Sequence, residues 1–398
     1  MKSIILEPQK SELIGSDIIR HCSIIRMDNS TNISHLDLWF QFSSAITPPD
    51  DSDCDSYLLA MLMDAMAEQR NIIVKGSVSK LLLSNLVEYQ AIWNSWLPHV
   101  YSPVEIIVES IRDNESSVPG AVCAFSGGVD ATFSVWRHTQ NKNSYRSQTI
   151  NLCLFVQGFD IPLTDNKAFD AAMKTAEETL CDVNLTIEPI KTNFKEISIA
   201  SWEDSHACAL VATLSNFKSI AGICIVGSSS PYNALRIPWG SSPISDHLLS
   251  SDSFSVMHDG ASHNRIDKVG EIAPWTLGSN NLRVCWQGDV KNKNCGICEK
   301  CLRTQFSFLA SDNSIPQCFP TLNVEQILFD KKMLLKNVGV RTHWRIIWQH
   351  ANRNHIKSAW VSQLEKIVIK KRFLDHVFPQ DSLRRRIAKK IKTLSKFN

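Results

Sequence analysis

An α/β fold built on a doubly wound parallel sheet is what this chain predicts, and three observations carry that expectation. First, short apolar runs alternate with helical stretches over residues 121–229: AVCAF, a helix after Asp130, INLCLFVQG, a helix through AFDAAMKTAEETL, VNLTIEPI, a helix around SHACALVATLSNF, and GICIVGSS. Strands and helices in strict alternation pair the strands in parallel through crossover helices. Second, Ser126-Gly127-Gly128 sits between the first strand and the first helix, where two glycines allow a tight turn. Third, the later strands end in further turn signals, Phe155 to Gly158 and Gly227 to Ser230. Ligands of such sheets bind outside the carboxyl ends of the strands, so the loops 126–132, 155–158 and 227–230 are expected to share one rim.

The flanking regions read differently. Residues 1–115 are expected to form an N-terminal α+β module. HLDLWFQFS alternates as a half-buried strand, and the polar break TPPDDSD leads into a helix through YLLAMLMDAMAEQ with Asp55 or Ser56 as its cap. NIIVKG and VEIIVES read as strands on either side of the helix SKLLLSNLVEYQAIWNSWL. The charged segment RDNESSVPG ends in Pro-Gly and is the expected linker into a second unit, residues 116–320. Residues 321–398 are expected to be helical, with Trp344, Ile347 and Trp348 on an amphipathic helix. Lys370 to Lys396 holds ten Lys or Arg against Asp375 and Asp381, on a helix whose apolar stripe is Leu383, Ile387, Ile391 and Leu394. A basic amphipathic tail of this kind suits RNA, an anionic membrane or an acidic protein, and equally the solvated face of a docked helix.

With 398 residues, 43% of them apolar, the chain can bury one large core or two moderate ones. Its net charge of +2 gives no bulk electrostatic case for nucleic acid. No apolar run approaches the length of a membrane span, and MKSIILEPQKSELIG lacks the apolar core of a secretory signal, so the expected location is cytoplasmic.

The chemistry concentrates in two motifs. In AVCAFSGGVDATF, successive N–H groups of the Gly127-Gly128 turn, the hydroxyls of Ser126 and Thr132 and the positive end of the following helix can converge on phosphate oxygens. This is not the Walker loop, whose lysine is missing and which would not place Asp130 where positive charge is wanted. An ordinary Gly-Gly turn is the bland alternative. In the second motif Cys285, Cys295, Cys298 and Cys301 fall within seventeen residues, while the other eight cysteines are scattered. Such spacing suits a tetrahedral, structural Zn²⁺; a disulfide or redox pair and an iron–sulfur cluster are the competing readings.

The loop resembles the SGGxDS signature of the PP-loop ATP pyrophosphatases, with Ala131 in place of the final serine and Thr132 offering a hydroxyl one position later. Together with CGICEKC, it resembles more narrowly the 7-cyano-7-deazaguanine synthases of queuosine biosynthesis, over about residues 118–312. That resemblance implies a PP-loop (HUP-like) fold with a zinc knuckle. It implies ATP held by Ser126, Gly127, Gly128, Val129, Asp130 and Thr132, with adenine near Phe155 and Gln157 and Gly227 on the same rim. It further implies Mg²⁺ placed by Asp130, charge stabilisation by Lys268 and Arg303, and Zn²⁺ on Cys285, Cys295, Cys298 and Cys301. The synthases' substrate segment is not present; PYNALRIPWGSSPISDHLLSSDSF stands there instead. This longer pattern is similar to bacterial relatives, some of which lie in antiphage defence gene clusters and act on a partner protein.

The reaction implied is adenylation of a carboxylate or carbonyl oxygen with release of pyrophosphate, followed by attack of ammonia or an amine such as a protein N-terminus. Two other classes stay open: a tRNA-modifying PP-loop enzyme, favoured by the basic tail, and a non-catalytic nucleotide-binding subunit, hinted at by Ala131. Asp246 and His258 are further loop candidates. His206, among alanines and leucine, reads as a buried structural histidine.

Overall fold

The computed structural model of this protein describes residues 2–29, 31–140, 145–285, 291–321, 323, 329–336 and 338–369. Its basic tail, residues 370–398, lies outside them. Among the described residues eleven strands form one mostly parallel sheet: β1 (Lys2–Pro8), β2 (Glu12–Ile14), β3 (Asp17–Asp28), β4 (Thr31–Ser43), β5 (Asn71–Ser79), β6 (Ile106–Arg112), β7 (Ala121–Ala124), β8 (Ile150–Gln157), β9 (Ile187–Thr192), β10 (Ile223–Gly227) and β11 (Ser255–Asp259). The helices are α1 (Asp55–Glu68), α2 (Lys80–Trp96), α3 (Val129–Thr139), α4 (Asn166–Cys181), α5 (Phe194–Ile197), α6 (Trp202–Leu214), α7 (Arg265–Ile272), α8 (Thr276–Asn280), α9 (Glu299–Ala310), α10 (Lys331–Leu334), α11 (Val338–Arg353) and α12 (Ala359–Leu364). No helix among the described residues is long and apolar enough to cross a membrane.

The strand order is β11-β10-β7-β8-β9-β4-β3-β1-β5-β6, with β2 paired to β3. The five strands from β7 to β11 are all parallel and run across the sheet as β9-β8-β7-β10-β11, so the chain winds one way from β7 to β9 and the other way from β10. The winding reverses between β7 and β10, which is where a doubly wound sheet opens a crevice for ligands. Side chains of β7 alternate as the pleat requires: Ala121 and Cys123 face the core under α3 and α4, whereas Val122 faces the core shared with α6 and α1.

Residues 2–112 do not stop at the expected linker. Strand β4 pairs antiparallel with β9, Phe40 opposite Thr192 and Phe42 opposite Ile190, so the N-terminal strands extend the same sheet. Asn193 fastens the seam, accepting from Trp39 N at 3.0 Å and donating to Asp37 O at 2.7 Å. One apolar core runs beneath both halves, from Ile4 and Phe40 through the buried faces of α1 and α2 to Ala207 and Val211 of α6. The expected cap of α1 differs from the observed one. Cys54 is the cap residue, while Asp55 and Ser56 are buried in the first turn, and Asp55 accepts from Ser79 N (2.8 Å) and pairs with Arg112 (2.7 Å). A buried carboxylate is held best by partners of this kind, and here they come from β5 and β6 instead of the helix's own backbone. On α11, Trp344 and Ile347 are buried against Phe306 of α9 and Trp360 of α12.

Asp64 of α1 is wholly buried and accepts from Ser198 Oγ (2.7 Å), Ile199 N (3.1 Å) and Ala200 N (3.0 Å), besides pairing with Arg26 at 3.2 Å. Removing one member of a buried pair leaves the other uncompensated, so Asp64→Ala is expected to cost about 3–5 kcal/mol. Urea unfolding followed by circular dichroism and by tryptophan fluorescence is expected to show the loss in both probes at one midpoint, because the halves share a core.

Candidate functional site

At the reversal point the chain leaves β7 and turns through Ser126, Gly127 and Gly128 into α3. Gly127 has φ +72°, a conformation side chains rarely adopt, and Gly128 caps the helix in extended form. The turn is strapped from outside by Arg283, whose backbone N–H donates to Gly127 O at 2.8 Å and whose Nε donates to Ser126 O at 3.2 Å. Its guanidinium lies 5.5 Å from the centroid of Phe155. The N–H groups of the first helical turn have no helical partners, so this end of α3 attracts negative charge.

Asp130, in that first turn, is half-buried between two cations. Lys268 Nζ donates to its Oδ1 at 2.8 Å and Arg265 donates to its Oδ2 at 3.0 Å. Burial alone would raise this carboxyl, but the charges of Lys268 and Arg265 outweigh it and hold Asp130 well below the usual carboxylate range. Lys268 is almost wholly buried and also donates to the carbonyl of Ser228, just beyond β10. It stands on α7, whose start is fixed by a capping box between Asn264 and Asp267. Arg303 of α9 is buried beside them, and burial, then the neighbouring Arg265, pushes it down to about 10.

Two cavities open on the turn. A small one of about 140 Å³ is lined by the turn and first helical residues together with Asp160, Arg265, Arg283, Cys285 and Lys300. A larger one of about 430 Å³ lies between Ser126, α4 and the chain around 280–294 and 317–320. The small cavity thus gathers cations at a helix start, which is what a polyanion requires.

Beside it the four cysteines come together, their Sγ atoms within 4.8 Å of one another. Cys285 and Cys298 are 3.8 Å apart, and Cys295 and Cys301 are 3.9 Å apart. Sulfurs about 2.3 Å from a tetrahedral zinc would lie roughly 3.8 Å from each other, whereas a disulfide needs about 2.05 Å. The group could therefore hold such an ion. A hydrogen bond from Cys301 pulls the Cys298 thiol down to about 5, and Cys298 N donates to Cys295 Sγ at 3.4 Å. Gly296, at φ +79°, makes the turn between them. Cys285 and Cys301 belong to one core cluster with Val129 and Phe133 of α3, so this group braces the helix that begins at the turn.

Among the expected site residues, Ser126, Gly127, Gly128, Val129, Asp130 and Lys268 converge, with Arg303 and the four cysteines around them. The remaining four have other surroundings. Thr132 is buried within α3 and lines neither cavity. Phe155 is packed on Phe169, and the amide of Gln157 donates to Pro162 O, Leu163 O and Asn166 Oδ1 at 3.0–3.3 Å, fixing the loop after β8. Gly227 permits a close approach of the chain to itself, since a Cβ there would meet Asp130 O at 3.0 Å. Asp246 and His258 bond each other at 2.7 Å, with Ser241 and the Ser242 N–H on the carboxylate, away from both cavities. Sequence reasoning missed Arg265, Arg283, Lys300 and Asp160. Only Arg265 carried a signal, three residues before Lys268 and hence on the same helix face.

The purified chain is expected to carry about one zinc ion, lost together with thermal stability in Cys298→Ser and Cys301→Ser, as checked by elemental analysis and melting. Gly227→Ala is expected to destabilise by about 1–3 kcal/mol in denaturant unfolding, because the new methyl group pushes on the first turn of α3. No family model, curated protein or solved structure matches this chain.

Proposed function

We propose that the chain is an ATP-dependent enzyme of PP-loop type that transfers AMP to a carboxylate or carbonyl oxygen, releases pyrophosphate, and so prepares that carbon for attack by ammonia or an amine. One observation carries this reading. A double-glycine turn opens a helix at the reversal point of a parallel sheet and faces a small cavity bordered by Arg265, Arg283 and Lys300, with Lys268 and Arg303 behind.

Cleavage between the α and β phosphates builds negative charge on the leaving pyrophosphate, and fixed cations aimed at that charge lower the barrier. Arg265 and Lys268 would do this, and the N–H groups of the turn would hold the phosphate oxygens. Asp130 acts on those two cations: both of its oxygens already accept from them, so it fixes Arg265 at the cavity wall and Lys268 just behind it. A magnesium ion on Asp130 would share that carboxylate with Lys268 and Arg265, and Asp160 is a second carboxylate of the same cavity for an ion arriving with the phosphates. Such an ion would neutralise phosphate charge. Zinc on the four cysteines would have no open coordination position and would serve to hold the wall of the site. PYNALRIPWGSSPISDHLLSSDSF occupies the place of the synthases' substrate segment, so the acceptor is expected to differ from theirs.

Incubation with ATP labelled separately at the α and γ positions, in the presence of candidate carboxylates and ammonia, tests the reading. AMP and pyrophosphate are the expected products, with turnover about 100- to 1000-fold lower in Lys268→Ala. Formation of ADP and phosphate instead, or failure of ATP to bind, would refute it.

A further inference from the structure

The two cavities meet at Ser126 and Arg283, which line both. Their chemistries differ. The small one carries Asp130, Asp160, Arg265 and Lys300, and at about 140 Å³ it falls below the roughly 300–1,000 Å³ of sites that enclose an organic ligand. The larger, at about 430 Å³, falls within that range, and among the described residues no Asp or Glu lines it. Its walls are the small residues Ala172 and Ala176 of α4, the ring of Phe319 and the side-chain amides of Asn280, Asn281 and Gln317.

We infer that the larger cavity is the nucleoside subsite, holding the purine and ribose of the nucleotide while residues 126–128 carry its phosphates into the smaller one. The inference rests on the ATP reading above. Asn and Gln amides present a donor and an acceptor side by side, the pattern that matches the N6/N7 edge of adenine. Two of these amides are oriented by the protein: Asn280 Oδ1 accepts from Gln317 N at 2.9 Å, and Asn281 Nδ2 donates to Thr179 Oγ1 at 3.0 Å. Small side chains on α4 leave a flat wall for a ring, with Thr175 on that wall and the hydroxyl of Ser126 at the boundary shared with the phosphates. The order of the turn fits this path, since Ser126 and Gly127 line the larger cavity and Ser126 and Gly128 the smaller. This places the base away from the end of β8, where the resemblance would put it against backbone groups; the side chains of Phe155 and Gln157 are committed to packing and loop bonds.

Titration of the full chain with AMP and, separately, with inorganic pyrophosphate tests the assignment. Wild type is expected to bind both. Thr175→Trp, which fills the cavity from a half-buried helix position, is expected to weaken AMP about tenfold or more while leaving pyrophosphate within about twofold. Asn280→Asp is expected to do the same and is the gentler variant, because its carboxylate keeps the oxygen that accepts Gln317 N–H; circular dichroism establishes that each is folded. If AMP affinity does not move in the folded variants, or wild type binds pyrophosphate but not AMP, the nucleoside subsite is overturned and the phosphate site stands. If wild type binds neither, both fall together.

Discussion

The pairing of Asp130 with Lys268 and Arg265 is the constraint on which the rim of this sheet depends. Lys268 is nearly cut off from water, and an ammonium in that position must be paired and hydrogen-bonded or lose its charge. Its partners come from two places, the first turn of α3 and the carbonyl of Ser228 beyond β10, so one cation ties the two strands that flank the reversal point to α7. Gly227 follows from this geometry. With α3 drawn so near the end of β10, a Cβ at this position would press on the backbone of Asp130 at 3.0 Å. The same pairing explains why an acidic residue sits in a loop suited to phosphate. Asp130 supplies the charge that lets Lys268 stay buried behind the small cavity and Arg265 stand at its wall without expelling each other.

The N-terminal half then reads as a buttress. Strand β4 closes the β9 edge of the parallel sheet, and an edge left open would expose unpaired N–H and C=O groups. Behind the seam, α1 packs beside α6 in a common core, and Asp64 fixes the 198–200 segment at the entry to α6. Because α6 is the crossover that brings the chain back to β10, the support reaches the reversal point through packed helices.

Much of the central sheet was legible because its signals are local. Each of the strands β7 to β10 is a short apolar run bounded by turn residues, and CGICEKC carries its own spacing. Strands β1 to β3 and β11 were not read. Ser255-Val-Met-His-Asp is short and half polar, and what makes it a strand is β10 beside it. Pairing of β4 with β9 joins residues about 150 apart, which no window along the sequence can register. The site divides in the same way. The turn, Asp130 and the cysteines lie in compact motifs, whereas Arg283 and Lys300 gain their meaning only when the chain folds back over the turn. Phe155, Gln157 and Gly227 were placed correctly at strand ends, but their side chains, or the lack of one, answer to internal packing.

One link remains between the cysteine group and the turn, and it runs through Asn294. Its Oδ1 accepts from the N–H groups of Val284 (2.9 Å) and Cys285 (3.2 Å), and its Nδ2 donates to Leu282 O (2.7 Å) and Cys318 O (3.1 Å). A single buried amide thereby uses its full hydrogen-bonding capacity to fix the backbone on both sides of Arg283. Asn294 immediately precedes Cys295, and Cys285 is two residues beyond Arg283, so an ion on the four sulfurs would clamp both ends of this arrangement. The arginine that straps the double-glycine turn is therefore held beside the four-cysteine group, and the shape of the small cavity is coupled to that group through three residues of backbone. A distant cluster of thiols would stabilise the fold without this consequence; here their nearness to Arg283 makes them part of what shapes the site.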